Sequence, residues 1–122
     1  MNKREFKKYV DALGAAVINE MLSAYYNVEN VDQDKLSSAI ETMLRAVGNA
    51  KINANITFDM GPGAFSDPKE YGRAKRAFFV QLFDKIDTEF EEATNTALKL
   101  FNEALPADEK ARNKEIAAEA AK

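Results

Sequence analysis

Three residue types are missing from this chain altogether: cysteine, histidine and tryptophan. Without cysteine there are no disulfides, thiolate nucleophiles, iron–sulfur clusters or Cys-ligated zinc sites. Without histidine the commonest general base and metal ligand is gone, together with every Ser-His and Cys-His nucleophile pair. No apolar run approaches the ~18 residues needed to span a bilayer, so no membrane contact is expected. Charge of one sign is also lacking. A formal charge of -3 neither selects nor rejects a polyanionic partner. The opening stretch MNKREFKKYV is basic but leads into an amphipathic pattern rather than a signal-peptide core, which gives the expectation of a soluble cytoplasmic protein.

What remains is helical periodicity, and enough of it for one domain of 122 residues with its own core. Asn2 followed by Glu5 has the spacing of a capping box. Phe6, Val10, Leu13, Val17 and Met21 then recur at helical intervals, predicting a first helix over 3–26. Gly14, Ala15 and Ala16 would let a neighbouring helix come close. Asp32 is a candidate N-cap for a second helix with Leu36, Ile40, Met43 and Val47 on one stripe, and Gly48-Asn49 has the residue types that commonly end helices.

The next stretch, INANITFDM at 52–60, alternates apolar and polar residues strictly, as a half-buried strand would. Two readings compete for it. The helical stripe can be continued through Ala50, Ala54 and Phe58, whereas Ile52, Ile56 and Met60 would then drift off that stripe. The Asn and Thr content and the preceding Gly-Asn tip the expectation toward an extended segment. No second segment alternates comparably, so such an arm would have to find a neighbouring subunit or partner for its backbone.

Asp67, Pro68 and Glu70 together form a third helix start, with Glu70 expected to close a capping box. From Tyr71 to Ala104 apolar residues repeat close to the ~3.6-residue helical period, predicting a long helix over 68–104. Its stretch AFFVQLF adds Phe79, Val80 and Phe83 outside the main stripe, more apolar surface than a three-helix monomer can bury. After Pro106 only Ile116 is a large apolar residue, so the tail is expected to pack weakly.

Candidate chemistry is sparse. The GPG at 61–63 lacks the Lys-Ser/Thr pair of a phosphate loop. Asp84, Asp87 and Glu91 share one helical flank and could hold Mg²⁺, but Glu20 on the first helix and Glu41 on the second do not make a separated second pair of acids. Basic residues fall in two sets: Lys3, Arg4, Lys7 and Lys8 at the start, and Arg73, Lys75 and Arg76 early in the third helix, where the helix dipole disfavours them. Converging, they could contact phosphates.

The expected fold is therefore all-α: three long helices in an up-down bundle (1–105), an extended or irregular segment at about 50–66 between the second and third, and a tail over 106–122. No motif is specific enough to indicate a family. The expected function is a non-enzymatic assembly subunit, binding its own copies and other proteins through Phe79, Val80, Phe83, Ile52, Ile56 and Phe58, without cofactor. By architectural analogy such subunits suit rings and shells like the head-to-tail adaptors of tailed phages, which would place the protein in a virion. The alternatives are a nucleic-acid-binding accessory protein using the two basic sets and, further down, a Mg²⁺-dependent nucleotide hydrolase using the acidic flank.

Overall fold

Three local start signals and one long-range apolar pattern build the structure, a computed structural model that describes residues 2–107. The first helix, α1 (Lys3–Asn27), begins at the anticipated capping box: the Glu5 amide donates to Asn2 Oδ1 at 2.8 Å, and the Asn2 amide donates back to Glu5 Oε2 at 3.3 Å. The second, α2 (Gln33–Asn53), starts under Asp32, whose carboxylate accepts from the Lys35 amide at 3.1 Å. The third, α3 (Pro68–Ala104), starts under Asp67, which accepts from the Lys69 amide at 3.0 Å. Each such cap contributes about 1 kcal/mol by satisfying an amide that the helix cannot. Glu70 departs from expectation. Its carboxylate accepts from the Ser66 hydroxyl at 3.2 Å instead of closing a capping box.

The helices run up, down and up. Asn30, at φ 63°, turns the chain between α1 and α2 in the left-handed region that Asn tolerates. The Asp32 amide donates to the Ala104 carbonyl at 2.9 Å, tying this turn to the C-terminal end of α3. At the opposite end Phe6 meets Phe83 edge to face, ring centroids 5.5 Å apart, and Tyr9 meets Phe90 at 6.3 Å. Met21, Leu36, Met43 and Val10 are the largest fully enclosed side chains of the core. Gly14 is buried where α1 meets α2, and a Cβ there would run into Val47 Cγ2. The small-residue reading holds at this position. Ala15 and Ala16 face solvent.

The expected helix stop at Gly48-Asn49 does not occur: α2 runs on to Asn53, and among the described residues there is no strand. Packing overrides the local signal. Ala50 is buried where Ile86 and Phe90 of α3 come close, a small side chain that admits the neighbouring helix, and Ala54 is enclosed just past the last turn. Ile52 and Ile56 consequently turn outward, 68% and 44% exposed. The alternation at 52–60 thus marks no common buried face. The irregular connection spans 54–67 rather than starting near residue 50, and contains one 3-10 turn, Pro62–Ala64.

That connection is anchored within the chain. Phe58 packs on Phe78 (5.3 Å between centroids), Tyr71 (6.0 Å) and Phe65 (6.5 Å), and Phe65 also meets Tyr71 at 5.8 Å. The expected tail begins at residue 106, and its residues 108–122 lie outside those described.

Candidate functional site

α3 is divided along its length. At about 1.5 Å per residue its 37 residues span about 55 Å, longer than either partner helix. All of its buried side chains, from Ile86 to Ala104, lie in the C-terminal half. Phe6 sits beside Phe83 close to the start of α1, so α3 begins roughly 18 Å before α1 does. The N-terminal half, about two thirds of which projects, is rich in aromatics, and none of it is fully buried.

The connection 54–67 covers the side of this projection that carries Tyr71 and Phe78. Val80 lies on the other side and is 62% exposed. Beside it, Phe83 and Phe79 are half-buried, Phe83 through its contact with Phe6 and Phe79 through Phe78 at 5.2 Å. Val80 and Phe83 form one wall of a groove whose other wall is Phe6 and Tyr9 of α1, with Asp84 and Asp87 at its rim. Phe6 and Tyr9 were not among the sequence candidates, although Phe6, Tyr9 and Leu13 follow one another at helical spacing.

The remaining interface candidates are separated from this groove. Ile52 and Ile56 are exposed at the end of α2, whereas Phe58 is engaged by its own chain. A further apolar patch escaped the sequence reading: Leu22, Tyr25 and Tyr26 of α1 beside Ile40 and Leu44 of α2, with Tyr26 77% and Leu44 56% exposed. In the sequence Ile18, Leu22 and Tyr25 widen the apolar arc at the end of α1, which predicts deeper burial there, whereas Leu22 is exposed.

Of the basic residues, Lys7 donates to Asn55 Oδ1 at 2.6 Å and so pins the end of α2 to α1. Lys75 lies over the Tyr71 ring, 5.8 Å from its centroid. Lys3, Arg4, Lys8, Arg73 and Arg76 make no ion pair among the described residues. Asp84, Asp87 and Glu91 are exposed along α3, and among the described residues no three acidic side chains converge as a metal ion would require. No described helix is long and apolar enough to cross a membrane. Comparison of the chain with protein-family models, curated proteins and solved structures finds no match.

Proposed function

We propose that this protein is a non-enzymatic helical assembly subunit that associates with copies of itself through the N-terminal half of α3. The observation that carries this reading is the uncovered face around Val80, beside the Phe6–Phe83 contact and opposite the side that the chain covers with Phe58 and Phe65. A helix that extends past its bundle while keeping an apolar stripe open gains most from a second protein surface. A ring or shell, such as the phage-type adaptors suggested by architectural analogy, needs a second contact besides this one. The Leu22–Tyr26–Leu44 patch, on α1 and α2, supplies it.

Val80→Asp is the direct test. Because Val80 is mostly exposed, the variant should keep its melting temperature within a few degrees, while the solution mass measured by sedimentation falls relative to the parent protein. An unchanged mass for a parent protein already larger than one chain would remove α3 from the interface. A parent protein of one chain's mass at every concentration would end the self-association reading.

A further inference from the structure

The exposed face of α3 carries an ordered sequence of charges. At about 100° per residue, the residues of 69–91 within about 60° of Val80 fall into three groups. Lys69, Arg73 and Arg76 come first, Ala77, Val80 and Phe83 form the middle, and Asp84, Asp87 and Glu91 follow. All are exposed except the half-buried Phe83. The arrangement is centred on Val80: Arg76 and Asp84 stand four residues to either side, Arg73 and Asp87 seven, and Lys69 and Glu91 eleven.

We infer that this face is a self-complementary surface on which two copies of the chain pair their α3 helices antiparallel about a two-fold axis at Val80. The proposal rests on the self-association reading above and supplies its geometry. Antiparallel pairing about Val80 sets every cation of one copy at the level of a carboxylate of the other, twice over, with the apolar residues between. A parallel pairing in the same register would oppose like charges along the whole face, so the pattern selects one orientation as well as one register.

Two further features fit the same geometry. Arg73 and Arg76 are exposed and have no ion-pair partner among the described residues, so both are open to carboxylates of a second copy. Two-fold pairing brings the partner's α1, with its groove-lining Phe6 and Tyr9, along the flank of α3 that carries Gly72. A Cβ at Gly72 would meet nothing in its own chain, so no intrachain contact calls for a residue that weakens helices. The partner's α1 gives it a purpose.

Charge exchange in the full-length protein tests this directly. Arg73→Asp with Arg76→Asp leaves Lys69 as the one cation of an otherwise acidic face, and Asp84→Arg with Asp87→Arg leaves Glu91 as the one anion of an otherwise basic face. Each double variant alone should lose the parent mass at low ionic strength, with its dissociation constant raised about tenfold or more. An equimolar mixture of the two should recover that mass as a heterodimeric contact, because every pair is again complementary. The quadruple variant carrying all four changes in one chain should recover it alone. Circular dichroism of the exposed-residue variants checks that each keeps its helices. Double variants that retain the parent mass, or a mixture that fails to recover it, would overturn the two-fold register while leaving self-association standing. A parent protein that is monomeric throughout would overturn both.

Discussion

At the scale of single residues, two glycines in neighbouring helices have opposite roles. A Cβ at Gly14 would run into Val47 Cγ2, while one at Gly48 would meet nothing within 4 Å. Val47 is β-branched and held to essentially one rotamer in a helix, so it cannot swing away. Gly14→Ala gains about 1 kcal/mol of helix propensity but suffers overpacking of about 1–3 kcal/mol, for a net loss on the order of 1 kcal/mol. Gly48→Ala has only the propensity gain and should stabilise by about 0.5–1 kcal/mol. Urea midpoints should move in opposite directions for the two variants. Stabilisation by Gly14→Ala would show that α1 and α2 can separate at this point without cost. The same residues mark the limit of local reading: the small-residue signal at Gly14 is legible in the sequence, but what the missing Cβ makes room for is a tertiary fact.

Among the elements, the three helix starts were legible because Asn2, Asp32 and Asp67 each satisfy amides within their own first turn, a contact of two or three residues. The end of α2 was not. Gly48-Asn49 carries a stop signal worth about 1 kcal/mol, and the burial of Ala50 against Ile86 and Phe90 of α3 outweighs it. A pair of prolines separates helix from connection. Asn49→Pro, on an exposed position inside α2, should cost about 3 kcal/mol with a measurable loss of helical circular dichroism. Thr57→Pro lies past the last backbone hydrogen bond of the turn, made by the Ile56 amide to the Asn53 carbonyl at 3.2 Å. It should leave helix content and melting temperature close to the parent values. Equal losses for both would mean that 54–60 is structured more like α2 than like a connection. The candidate interface shows the same division between local and long-range information. Val80 and Phe83 were identifiable as surplus apolar residues, whereas Phe58 was misread as free because its partners, Phe65, Tyr71 and Phe78, lie across a turn that no periodicity describes.

For the whole molecule, the division of α3 implies a gradient of stability along one continuous helix. Residues 86–104 are held by α1 and α2 and by the tie between Asp32 and Ala104, so their amides should exchange with solvent mainly through global unfolding. Residues 70–79 have only the half-buried Phe58–Phe65 cover on one side, and a helix end with so little burial should open locally. Hydrogen exchange on dilute protein should therefore show amides of 72–79 exchanging at least about tenfold faster than those of 90–100, a gap of about 1.4 kcal/mol in opening free energy. Raising the protein concentration distinguishes a merely frayed extension from an unfinished interface. If copies pair through the Val80 face, amides of 72–83 should slow as the concentration rises while those of 90–100 change little, because pairing adds contacts only to the less protected half. Uniform protection along α3 in dilute solution would mean that the bundle core extends further toward Pro68 than the buried residues indicate. A gradient that persists unchanged at every concentration would leave the extension without a partner copy. Concentration-dependent slowing that disappears in the Arg73→Asp, Arg76→Asp variant would tie the protection to the charged face itself.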